Sequence, residues 1–178
     1  MEELEKEYNL IIEDYTDFLK EIKRTVEKIL YRNQISIAFE INGRIKSLDS
    51  IFEKVTSERF IIKKTVTELN DLIGLRIVLL FPEFKGKVVE ILSKEFKLLN
   101  DPIISSQNLD KFGYSSIHLI IGIKDEWTKT PYFENHSNKK IEVQIRTLSE
   151  HIWAETSHSL FYKRLMANML VNFVKWKN

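Results

Sequence analysis

Apolar residues recur at spacings of three and four along residues 2–31: Leu4, Tyr8, Ile11, Tyr15, Phe18, Ile22, Val26 and Ile29. Charges fill the gaps, and the stretch holds no glycine or proline. That period is one face of an α-helix, so a long amphipathic helix is predicted over 2–31. The pattern then changes. Residues 35–41 partly alternate and predict a strand, punctuated by Asn42-Gly43. Residues 47–55 predict a short helix capped by Ser47, and a polar connection follows over 56–65. Residues 72–81 form a nearly continuous Ile/Val/Leu run that predicts a buried strand, ended by Pro82.

Further on, residues 84–98 predict a helix with Phe84, Val88, Ile91, Leu92 and Phe96 inward. A loop over 100–111, a third strand over 116–123 and a polar loop over 124–139 follow. Residues 141–145 alternate as a fourth strand, and 148–165 read as a closing helix with a partly apolar tail to 178. Alternating helices and strands of this kind predict an α/β or α+β fold in a single domain.

Composition narrows the class. The chain has 178 residues, 43% hydrophobic and 30% charged, with only 5 glycines and 3 prolines, so a packed core is expected rather than disorder. It has no cysteine, which excludes thiolate chemistry and cysteine-held zinc. The net charge is +1, too even to demand nucleic acid, although it leaves room for a local patch. With no secretion signal and no membrane-length apolar run, a soluble cytoplasmic chain is the expectation.

Several segments carry more polar chemistry than structure alone needs. Arg44, Lys46, Ser50 and Lys54 surround a strand-to-helix turn, where backbone N–H groups and cations favour phosphates. By itself that turn reads equally as a solvated charged loop. Asp71 stands at the mouth of the 72–81 run, a suitable position for a Mg²⁺ ligand and also for a turn aspartate. Arg76 lies inside that run and needs a partner there. In Phe112-Gly113-Tyr114-Ser115-Ser116-Ile117-His118, Tyr114 could stack on a base and His118 could donate to phosphate. Period two places Glu142, Gln144 and Arg146 on one strand face, opposite Val143 and Ile145. Glu142 with Asp71 would give Mg²⁺ its two carboxylates. His151, Glu155 and His158 share one helical face, which reads as a polar surface closing over a cleft in preference to a metal site.

Taken in order, 43–54, 71–76, 113–118, 142–147 and 151–158, followed by Tyr162-Lys163, resemble the synthetase domain of the RelA/SpoT family across about 35–164. The resemblance implies a nucleotidyltransferase-like mixed sheet flanked by helices. It divides the chain into an N-terminal helix (1–31), a catalytic core (35–164) and a short tail (165–178). It implies a small stand-alone alarmone synthetase that moves the β,γ-pyrophosphate of ATP onto the 3′-hydroxyl of GDP or GTP, with Mg²⁺ as cofactor. Arg44 then corresponds to a residue stacked on adenine, and Lys46, Ser50 and Lys54 to residues holding the ATP phosphates. Asp71 and Glu142 correspond to the catalytic, metal-handling pair. Tyr114 corresponds to the ring on the acceptor base, and His118, Gln144 and Arg146 to groups lining its cleft.

Phe112 stands where many members carry a polar residue, and Ser115 where Arg or Gln is frequent. A toxin-like branch of the family therefore stays open, one that pyrophosphorylates the 3′ end of tRNA or makes adenosine alarmones. Lys63, Lys64, Lys111, Lys139, Lys140, Lys163 and Arg164 would supply the basic patch for tRNA. An inert nucleotide-binding module is a third reading. In either case the N-terminal helix offers an apolar stripe to an antitoxin or to a second copy.

Overall fold

The computed structural model describes residues 2–57, 62, 65–106 and 115–157. Most of the 56–65 connection, Tyr114, the closing helix beyond 157 and the tail lie outside the described residues. Helix α1 (Glu2–Arg32) leads into strand β1 (Asn42–Ile45) and helix α2 (Leu48–Thr56). Strand β2 (Ile73–Leu79), helix α3 (Phe84–Glu95) and strands β3 (Lys97–Leu98), β4 (Ile103–Ser106) and β5 (Ser115–Gly122) follow. Strand β6 (Ile141–Thr147) runs directly into helix α4, described over 148–157.

The six strands form one mixed sheet in the order β1-β2-β6-β5-β3, with β4 also on β5. Only the β2–β6 pair is parallel; β1–β2, β5–β6, β3–β5 and β4–β5 are antiparallel. A mixed α/β sheet with a long N-terminal helix is thus the observed architecture.

Alternation along the strands separates the two faces of the sheet. Ile73, Leu75, Ile77, Leu119, Ile121, Ile141, Val143 and Ile145 are buried on one face, in a core shared with Phe18, Ile22, Val26 and Leu30 of α1 and Val88 and Leu92 of α3. The apolar stripe of α1 is therefore spent inside the chain's own core. This corrects the expectation that it would dock an antitoxin or a second copy. Leu4, Tyr8 and Ile11 extend the same packing as partly buried residues. Asp14 ties α1 to the loop before β6: Lys139 Nζ donates to its carboxylate at 2.5 Å and lies 4.4 Å from the Tyr15 ring.

Several element boundaries depart from the sequence pattern. Residues 35–41 make only an isolated bridge, Ile37 to Leu79, and the strand begins at Asn42. Gly43 lies within β1, paired with Leu75, and α1 comes close to it: a Cβ there would sit 3.0 Å from Leu19 Cδ1. The helix predicted to 98 stops at Glu95, since Lys97 and Leu98 pair with Gly122 and Ile121. Part of the loop predicted over 100–111 is β4, which pairs with β5 from Ile103 opposite His118 to Ser106 opposite Ser115. In the 124–139 loop, Trp127 and Phe133 pack with Phe96 and Phe18 as an aromatic cluster.

Candidate active site

The second sheet face is polar because the register brings the same alternation into line across four strands. Arg44 lies opposite Gly74, Gly74 opposite Glu142, and Arg76 opposite Gln144. His118 pairs with Gln144 from the other side. The resulting cleft is lined by Asn42, Arg44, Gly74, Leu75, Arg76, Gln144 and Glu155 and has a volume of about 290 Å³. Arg44 lies over Gly74: a Cβ there would meet Arg44 Cγ at 3.6 Å and its Nε at 3.7 Å, ordinary contact distances. The Arg44 side chain therefore lies across the strand.

Beside the cleft, the chain leaves β1 next to the entry of β2, and the backbone N–H of Lys46 donates to Leu72 O at 2.9 Å. Lys46 Nζ is 2.9 Å from Asp71 Oδ2. Lys54, carried over by α2, donates to both Asp71 oxygens at 3.0 Å. Burial pushes the Asp71 carboxyl up, but the two ammonium groups outweigh it and hold the pKa below the ordinary value. Ser47 caps α2 by accepting from the Ser50 N–H, and the two hydroxyls are 2.9 Å apart. Ser50 thus sits on the first turn of the helix that delivers Lys54.

On the central strands the polar groups form a chain. His118 Nδ1 is 2.9 Å from Glu142 Oε1, and Gln144 Nε2 donates to Glu142 Oε2 at 3.1 Å. Arg146 in turn donates to Gln144 Oε1 at 3.2 Å. An ionised carboxylate can only accept, so the His118 contact places a proton on Nδ1. In the neutral ring, Nε2 then accepts from the hydroxyl of the fully buried Ser116. Burial again acts upward on Glu142, and the bonds from His118 and Gln144 overcome it, leaving its pKa below normal. The Asp71 charge acts in the opposite direction, upward, as the smallest of these influences.

The structure thus brings Arg44, Lys46, Ser50, Lys54, Asp71, His118, Glu142, Gln144 and Arg146 to one region; Tyr114 lies outside the described residues. Arg76 finds its partner in Glu155, 2.9 Å away. His151 Nδ1 is 3.9 Å from the same Glu155 oxygen, so that face of α4 covers the cleft margin. Asn42 and Gly74 line the cleft without having been singled out for it, whereas Glu155 lies on the polar helix face expected to close over a cleft and does line it. The signal for Asn42 is its two-residue offset from Arg44, masked by the turn character of Asn-Gly. Helical spacing marks Glu155, but its pairing with Arg76 carries no local signal, because the two are distant in sequence.

The anticipated basic patch is depleted. Lys139 is only 6% exposed and bound to Asp14, while Lys140 reaches Glu68 O and Asn70 Oδ1. Lys63, Lys64, Lys111, Lys163 and Arg164 lie outside the described residues. No described helix is long and apolar enough to cross a membrane.

Two carboxylates and a cluster of cations thus lie on and beside the open face of a mixed sheet, a set of groups suited to phosphate-bearing ligands. The family follows from comparison: residues 43–167 match the region found in RelA / SpoT proteins, and the chain belongs to that family. It is 30% identical over 158 residues to the GTP pyrophosphokinase YjbM of Bacillus subtilis, a match covering 88% of this chain and 70% of that protein. Among solved structures it resembles small alarmone synthetase 1 of Bacillus subtilis bound to its product pppGpp. That match has a TM-score of 0.69 and 28% identity, over 89% of this chain and 81% of the other. The same synthetase bound to AMPCPP matches with a TM-score of 0.65 and 26% identity, over 89% and 80% of the two chains.

Proposed function

We propose that this chain is a (p)ppGpp synthetase that transfers the β,γ-pyrophosphate of ATP to the 3′-hydroxyl of GDP or GTP. The observation that carries the reading is that, in a RelA/SpoT-family chain, Lys46 and Lys54 meet on Asp71 just before β2, while the register sets Glu142 opposite Gly74 on the neighbouring strand. Names and bound ligands of the relatives agree with it: a GTP pyrophosphokinase, and a synthetase holding pppGpp or AMPCPP.

Catalysis of such a transfer consists mostly of positioning and of neutralising charge on the moving group. In this reading Arg44 lies flat under the adenine, where a guanidinium stacks well. Lys46 and Lys54 turn from Asp71 to the ATP phosphates, with Ser50 at the helix start beside them. Glu142 is already ionised and is held by two donors, so it can take the proton of the attacking 3′-hydroxyl. Tyr114 stacks on the acceptor base, while His118, Gln144 and Arg146 line the acceptor side. Asp71 and Glu142 suit Mg²⁺, which takes one or two carboxylates and completes its shell with phosphate and water oxygens. Once Lys46 and Lys54 turn away, the Asp71 oxygens are available for that. When bound, the ion neutralises charge across the phosphates.

The test is purified protein with γ-labelled ATP and Mg²⁺, offered GDP, GTP, ATP alone or deacylated tRNA. Label arriving on GDP or GTP, with AMP as coproduct and no inorganic phosphate, is the expected result. Label on tRNA alone would overturn the acceptor, and no transfer at all would overturn the reaction.

A further inference from the structure

Away from the cleft, three elements meet on one ion pair. Lys85, in the first turn of α3, lies 3.0 Å from both carboxylate oxygens of Glu150 at the start of α4. The same Nζ donates to the Ser115 carbonyl at 2.7 Å and contacts its hydroxyl at 3.2 Å. The Ser115 hydroxyl donates to Glu150 Oε1 at 3.0 Å, and the Thr147 N–H donates to Oε2 at 2.7 Å. The charged side chains are only 12% and 10% exposed. Burial alone would raise the Glu150 pKa; the Thr147 N–H, Lys85 and Ser115 together bring it below the ordinary value.

A buried ion pair is weak evidence for stability, because apolar residues of similar size often replace one without loss. Where its bonds lead is more informative. They converge on the first residue of β5 and the last of β6, the strands that carry His118, Glu142, Gln144 and Arg146. Ser115 is also the residue directly after Tyr114. Neither Lys85 nor Glu150 lines the cleft.

We infer that Lys85 and Glu150 are positioning residues for the acceptor nucleotide: by clamping both the carbonyl and the hydroxyl of Ser115, they fix where the acceptor-side strand enters the sheet. The inference rests on the pyrophosphate-transfer reading above. A serine suits this clamp because its short hydroxyl donates to Glu150 while its own carbonyl accepts from Lys85.

The experiment uses the full chain as wild type, as Lys85→Met/Glu150→Gln, and as Ser115→Ala. The double substitution removes both charges together and leaves no lone buried ion. KM for GDP, KM for ATP and kcat are measured for each. In the double variant KM for GDP should rise roughly tenfold, while KM for ATP stays within about twofold. Ser115→Ala should shift in the same direction by less, and it decides the matter if circular dichroism shows the double variant unfolded. Two KM values that rise together, or neither rising, would overturn the positioning role. A wild type that transfers nothing to GDP or GTP would refute the functional reading itself, and this inference with it.

Discussion

Replacing Asp71 by asparagine separates the charge of this side chain from its shape. The amide keeps one oxygen for Lys46 or Lys54 but turns an NH₂ toward the other ammonium. Two cations at 2.9 and 3.0 Å thus lose their counter-charge. Bonds to charged groups contribute roughly 1.5–3 kcal/mol each when buried. Here the three side chains are 16–24% exposed, so screening reduces the figure to about 1 kcal/mol per lysine. The expected cost is therefore about 2 kcal/mol, or a fall in Tm of roughly 4–8 °C for a chain of this size. The functional effect should be far larger. Losing a carboxylate of the metal-handling pair should lower pyrophosphate transfer by at least about a thousandfold. ATP binding without Mg²⁺ should hold or strengthen, because the lysines are released toward phosphate. Differential scanning fluorimetry, label transfer from γ-labelled ATP and calorimetric ATP titration read the three effects. Transfer within tenfold of wild type would refute the role of Asp71, and ATP binding lost at unchanged Tm would refute the lysine exchange.

Glu142→Gln should abolish transfer with the fold intact; an active variant would exclude Glu142 as the base. Tyr114→Ala should raise KM for GDP more than KM for ATP; the opposite split would mean that the two pockets are reversed. Phe18→Ala, at a fully buried ring packed on Phe133 and His136, should cost about 3–5 kcal/mol in urea unfolding. A cost under about 1 kcal/mol would mean that the aromatic cluster collapses onto the cavity. Asp71, Glu142 and Glu150 all titrate below their ordinary values in the fold. Their stabilisation is present above the unfolded carboxylate values of 3.8 and 4.5 and is lost as pH falls through the lower folded ones. Tm should thus be insensitive to these groups at neutral pH and fall below pH 4.5, a fall shallower in Glu150→Gln; a Tm that rises on acidification would contradict the sign.

What the sequence made legible was what repeats. The spacing of Tyr15, Phe18, Ile22, Val26 and Ile29 marks the buried face of α1, and those residues are buried. Period two in β6 places Glu142, Gln144 and Arg146 together, and the hydrogen-bond chain follows that face. Short elements held only by a neighbour were not legible. Ile103 to Ser106 follows Asp101-Pro102 and is a strand because β5 offers it an edge. Asn42-Gly43 has turn chemistry, yet it lies in β1, where the two residues pair with Arg76 and Leu75. The need of Arg76 for a partner could be read from its apolar surroundings; the identity of Glu155, 79 residues away, could not. Nor could the convergence of Lys46 and Lys54 on Asp71, which spans 25 and 17 residues.

Helix α1 reaches nearly every part of the domain. Glu7 accepts from the Val66 N–H, the Tyr8 hydroxyl donates to Lys46 O, Leu19 touches β1, and Asp14 holds Lys139, 125 residues on. A ribosome therefore releases this helix long before the sheet that covers it exists. Its apolar stripe must wait, unshielded, until β6 has been synthesised, and closing so long a loop is slow. During translation α1 is thus made well before the strands that bury it, and in that interval its exposed stripe is the kind of apolar surface that favours association with other chains.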